Sequence, residues 1–127
     1  MSAPADVAVA PLTVESDSAG VLRAAADTCL ERLVRGLTGL GVSVARYPEL
    51  SEKTLARARP VPLAVLGHVR RAEGLIQAEL RLLEVESGDE LRSYFYADKA
   101  PDAVGDLGSG AAKRIAQVIL ERRTRRP

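Results

Sequence analysis

The chain has 127 residues, 46% of them apolar and 28% charged, enough for one domain that buries a real core without a disulfide or metal staple. Its 18 basic and 17 acidic residues leave a net charge of +1, which gives no general attraction to nucleic acid or an anionic membrane. A single cysteine excludes an internal disulfide, a single histidine excludes a histidine-based zinc site, and no apolar run approaches the ~20 residues of a membrane helix.

In chain order, the apolar run Val7 to Leu12 predicts a buried strand that loses its pairing at Pro11, which has no N–H to donate. From Ala19 to Leu40, Leu22, Ala26, Cys29, Leu33, Leu37 and Leu40 recur at three- and four-residue steps, the pattern of an amphipathic helix. Ser18 is the expected N-cap and Gly41 the expected stop, and Gly36 and Gly39 suggest a last turn that frays or packs closely onto the sheet. Gly41 to Tyr47 alternates as a short strand, and Ser51 to Arg59 predicts a short helix stopped by Pro60 and Pro62.

The stretch Pro62 to Tyr96 reads as three consecutive strands joined by two tight Gly-containing turns, and the rest of the chain is organised around it. Leu63, Val65 and Val69 point one way, Leu66 and His68 the other. In the next strand Ile76, Ala78, Leu80 and Leu82 face the core, with Gln77, Glu79 and Arg81 toward water. Leu83 and Val85 break that phase, which predicts a β-bulge at Leu82 or Leu83. Leu91 to Tyr96 returns as the third strand. Pro101 and Asp102 open a last helix whose buried face is Val104, Leu107, Ala111, Ile115, Val118 and Ile119. The expected fold is α/β (α+β): a single mixed sheet of about five strands in the order βαβαβββα. It forms one domain over residues 1–127, with its core over about residues 6–122 between a short flexible start and an Arg-rich tail.

No catalytic constellation emerges. Cys29 lies on the apolar stripe of a helix, where it acts as a small hydrophobe rather than a nucleophile partnered by His68. Gly105, Gly108 and Gly110 lack the lysine and hydroxyl of a phosphate loop, so close helix packing or a loose first turn is the better reading. Glu84, Glu86, Asp89 and Glu90 crowd one hairpin, open to a weak calcium site or an acidic patch. Without EF-hand spacing, a solvated turn is favoured. Arg122, Arg123, Arg125 and Arg126 form a basic tail, read first as a frayed helix end. Tyr94 and Tyr96 share one face of their strand and Phe95 takes the other. Tyr94, Tyr96, Arg92 and His68 are therefore the candidate partner-binding residues, with no cofactor or metal expected.

The strand VAVAPL, the segment Val65-Leu66-Gly67-His68-Val69 and the stretch AELRLLEVESGDEL together resemble the TolB N-terminal-like domain, the module shared in outline by FlgO-type, CsgG-type and penicillin-binding-protein-activator lipoproteins. The resemblance runs from Val7 to about Glu121, with Leu12 in place of the frequent Phe and with three glycines in the final helix as departures. It implies a non-enzymatic module that docks onto other proteins, often at the cell envelope and often in oligomers. Met1 to Ala5 has neither the basic start nor the apolar stretch of a secretory signal. The expectation is therefore a periplasmic or outer-membrane-associated protein if an export segment or lipid-bearing cysteine was removed, and otherwise a cytoplasmic one. The alternative is a ligand- or nucleotide-sensing module of a signalling protein, using the loop after Pro11 and the amino end of the last helix.

Overall fold

The computed structural model describes residues 4–15 and 20–125. Its elements run β1 (Val7–Val9), β2 (Thr13–Val14), α1 (Val21–Gly39), β3 (Val44–Arg46), a 3-10 helix (Glu52–Ala58), β4 (Leu63–Ala72), β5 (Leu75–Glu84), β6 (Glu90–Asp98) and α2 (Pro101–Thr124). The mixed sheet has the order β3-β1-β4-β5-β6, with β2 also paired to β4.

The sheet has six strands rather than five because Pro11 divides the first apolar run. β1 pairs in parallel with both β3 and β4, pairing lapses around Pro11, and Thr13 and Val14 resume it beside His68 and Val69. Between β1 and β3 runs α1. The expected N-cap Ser18 lies outside the described residues, and the cap is Gly20, in the left-handed region with φ 74°. At the other end Gly41 donates to the Thr38 carbonyl and Val42 to the Leu37 carbonyl, the Schellman arrangement that the Gly41 stop predicts.

β4, β5 and β6 form an antiparallel meander. The β4–β5 connection is the two-residue turn Glu73-Gly74, with φ 54° and 76°. Positive φ at both central positions matches the right-handed twist of the flanking strands and needs glycine at the second. The register shift falls between Leu82 and Leu83, where the sequence places it, but the extra residue is in β6. Leu82 pairs with Arg92 and Leu83 with Glu90, leaving Leu91 over, while β5 stays in register with β4 along its whole length. Leu83 and Val85 are apolar for another reason: both sheet faces are covered at that end.

The main core lies between the sheet and the two helices. Val7, Val9, Leu63, Val65, Val69, Ile76, Leu80 and Leu82 meet Leu22, Cys29, Leu33 and Leu37 of α1 and Val104, Ala111, Ile115 and Ile119 of α2. The helices run side by side in the same direction, and glycines let their backbones approach. A Cβ on Gly36 would lie 2.6 Å from the Cβ of Ala112, and one on Gly108 would lie 2.9 Å from the Leu33 nitrogen and nearer still to the Cys29 carbonyl oxygen. Gly36 thus packs against α2, not against the sheet, because its Cα faces Ala112 of the neighbouring helix.

A second, smaller core covers only one end of the opposite face. There Leu50, Leu55, Ala58 and Val61 of the segment around the 3-10 helix pack on Ala8, Ala10, Ala64, Leu83 and Val85. The segment is a tight 3-10 helix, with Ser51 and Thr54 closing a capping box at its start.

Candidate functional site

Three of the four carboxylates of the β5–β6 turn region are held by arginines: Glu84 by Arg122, Glu86 by Arg59 and Glu90 by Arg81. Arg123 of the basic tail likewise pairs with Asp6. Helix α2 continues to Thr124, so Arg122 and Arg123 are ordered parts of the fold; Arg126 lies outside the described residues. Burial acts to raise the Asp6 carboxyl, but hydrogen bonds from Arg123 and from the Ser43 amide, with the Arg123 charge, hold it below its ordinary value. Burial pushes the Cys29 thiol up to about 11, consistent with packing rather than chemistry. Among the described residues no cluster of His, Cys, Asp and Glu could hold a metal ion.

What remains unspent lies on and around β6. Among the described residues this nine-residue strand pairs only with β5, so its other edge carries unpaired backbone groups. Its side chains alternate. Arg92, Tyr94 and Tyr96 stand opposite Leu82, Leu80 and Ala78 on the helix side, while Ser93 and Phe95 stand opposite Arg81 and Glu79 on the open side. Phe95 is 59% exposed and Tyr96 41% exposed. Tyr94 is half-buried against the main core, and its Oη is the one buried side-chain polar atom among the described residues with no hydrogen-bond partner. Burial raises the Tyr94 phenol, opposed by the charges of Arg92 and Arg114. The Tyr96 phenol is also raised, first by the Asp98 charge and then by its hydrogen bond to that carboxylate. The Arg92 guanidinium donates to the Leu91 carbonyl at 2.7 Å and has no acidic partner among the described residues.

His68 stands apart from the other three candidates, on the open face. Pairing aligns Thr13, His68, Glu79 and Phe95 in one row across β2, β4, β5 and β6. The Thr13 Oγ1 lies 2.7 Å from His68 Nδ1. Beside this row is a groove of about 290 Å³, walled by Pro11, Leu50, Leu66, His68, Glu79 and Arg81. The loop after Pro11 therefore borders a groove on the open face. The amino end of α2 is on the helix side, where Arg32 of α1 binds the Asp102 carbonyl and the Asp106 carboxylate, so the two parts of the sensing site expected from the sequence do not meet. Alternation in the sequence separates Phe95 from the two tyrosines and turns Glu79 toward water, but the sequence does not single out Thr13, whose place beside His68 follows only from the pairing of β2 with β4.

No family model matches the chain, and no curated protein matches it. Solved structures do. The chain is similar to the PelC dodecamer of Paraburkholderia phytofirmans, at 15% identity and TM-score 0.58, covering 84% of each chain. It is similar to the lipoprotein GNA1162 of Neisseria meningitidis, at 18% identity and TM-score 0.54, over 89% of this chain and 97% of that one. It is also similar to TolB of Acinetobacter baumannii, at 12% identity and TM-score 0.58, where 91% of this chain spans 28% of TolB. The chain shares the α/β fold of these bacterial proteins, the fold that its strand motifs resemble.

Proposed function

We propose that this chain is a non-catalytic interaction and assembly module of a bacterial cell-envelope-associated system, acting through the β6 edge. The observation that carries this reading is the free edge of a nine-residue strand with Phe95 and Tyr96 exposed along it. Such an edge accepts an added strand by main-chain hydrogen bonding, with alternate side chains giving specificity. The likeness to a protein crystallised as a dodecamer and to a lipoprotein supports a place in an envelope assembly and makes a second copy one partner to test. Light scattering across a wide concentration range is the first test, followed by crosslinked pull-down from envelope and cytosol fractions. A self-associated species, or a specific envelope adduct lost on Phe95→Lys, is the expected result. A strict monomer that crosslinks to nothing in either fraction overturns the proposal.

The groove beside His68 supports a second reading, a small-ligand sensor on the open face. A ligand at a hundredfold excess over its Kd adds about 2.7 kcal/mol of stability, so a thermal-shift screen of nucleotides and small anions tests it directly. A flat screen counts against this reading.

A further inference from the structure

Phe95 and Tyr96 of β6 are two of the four large apolar side chains left exposed among the described residues, and the other two, Leu40 and Leu120, meet elsewhere. Leu40 belongs to the apolar stripe that the sequence gives α1, yet it is 48% exposed, and Leu120 of α2 is 46% exposed. Both line a shallow groove of about 450 Å³ between the end of α1 and the last turns of α2. Soluble chains seldom gather exposed leucines without a use for them.

The groove has a self-complementary plan. Lys113, Gln117 and Glu121 line it at four-residue steps and form one ridge of α2, while Ala116 and Leu120 lie on the next ridge. Lys113 and Glu121 are eight residues apart, about 12 Å along the helix, too far to pair with each other within the chain. Neither has an ion-pair partner among the described residues. When two copies of this ridge lie antiparallel about a two-fold axis at Gln117, Lys113 of each copy meets Glu121 of the other. The axis also passes through the apolar patch. Because α1 and α2 run side by side with Gly36 level with Ala112, Leu40 lies level with Ala116, one residue from the axis. The rotation that matches the charges therefore brings Leu40 and Leu120 of both copies to one centre.

We infer that this groove is the contact surface of a symmetric dimer, in which the α2 helices of two copies of this chain cross antiparallel and pair Lys113 with Glu121 twice. A surface that complements itself is what a two-fold contact requires. With two leucines per copy at its centre the interface is small, and its Kd is expected to be weaker than about 1 μM. The contact uses the helix layer and not the β6 edge, so it goes beyond the interaction reading above and does not depend on it.

The test follows the isotope-labelled full chain by sedimentation and by its amide signals across concentration, beside Lys113→Glu, Glu121→Lys and an equal mixture of the two variants. The unaltered chain is expected to dimerise, with shifts at Leu40 and from Lys113 to Glu121. Each single reversal turns both ion pairs into like-charge pairs and is expected to weaken dimerisation about tenfold. Both variants keep the fold, since the two positions are exposed and Lys and Glu are equally good helix formers. Mixed together they are expected to form a heterodimer at least as tight as the original dimer, because a ridge acidic at both ends then faces one basic at both ends. A chain that is monomeric at about 1 mM, a dimer indifferent to either reversal, or a mixture no tighter than its components overturns the inference. Self-association abolished by Phe95→Lys but untouched by Lys113→Glu also overturns it, and leaves the β6 edge as the surface between copies.

Discussion

The two faces of the sheet are built from the same strands and have opposite fates. On the helix side Leu63, Leu80, Leu82 and Ile76 are almost fully buried, and the covering helices are drawn together until their backbones touch at Gly108. On the open side the same strands present His68, Glu79, Arg81 and Phe95, and cover comes only from the short segment around the 3-10 helix. Cohesion is thus concentrated on one face, while among the described residues much of the other face and the β6 edge stay uncovered. Substitutions on the sealed face report on folding; under the proposed function, substitutions at the exposed residues of the open side report on partners.

The largest expected effect is at the helix seam. Gly108→Ala puts a Cβ into the Cys29 carbonyl oxygen, a backbone atom that cannot swing away, and is expected to cost about 3 kcal/mol or more in denaturant unfolding. Gly110, two residues on, has open space at its Cβ position, so Gly110→Ala in mid-helix is expected to stabilise by about 0.5–1 kcal/mol. Leu80→Ala, on the sealed face, is expected to cost about 2–5 kcal/mol. Phe95→Ser, on the same sheet but facing out, is expected to change stability by about 0.5 kcal/mol or less while weakening association. Equal costs for Leu80→Ala and Phe95→Ser would remove the contrast between the faces.

Titration sharpens it further. Because the Asp6 carboxyl is held below its ordinary value in the folded chain, its contribution is complete above the unfolded value, near 3.8, and is lost as pH falls through the lower folded value. Asp6→Asn is therefore expected to flatten the acid limb of the stability curve and to leave its shape near neutrality unchanged. Cys29, with its thiol raised to about 11, is expected to resist alkylation at pH 8 until the chain unfolds, which makes it a probe of global opening.

Much of this arrangement is legible in the sequence. The alternation of Ile76, Ala78, Leu80 and Leu82 against Gln77, Glu79 and Arg81 identifies the buried face of β5 without any structure, because strand period and burial coincide there. The stop at Gly41 is equally direct. The bulge shows a limit. Leu83 and Val85 mark where the second core begins, a tertiary fact, and only the pairing reveals that the extra residue is Leu91. The glycines of α2 were readable as packing residues, but not that Gly36 answers them from α1, because that requires knowing that the two helices lie side by side. The candidate residues were divided by the same kind of fact. Arg92, Tyr94 and Tyr96 share a face by alternation alone, whereas the position of His68 relative to them depends on strand order.

The most direct test of the account is a photo-crosslinking amino acid placed at Phe95 and, separately, at the exposed Glu31 of α1, in the full chain expressed in bacterial cells. The account predicts defined adducts, to a second copy or to a specific envelope protein, from position 95 and none from position 31. Adducts from neither position, or equally from both, would contradict the claim that the free edge of β6 is where this protein meets its partners.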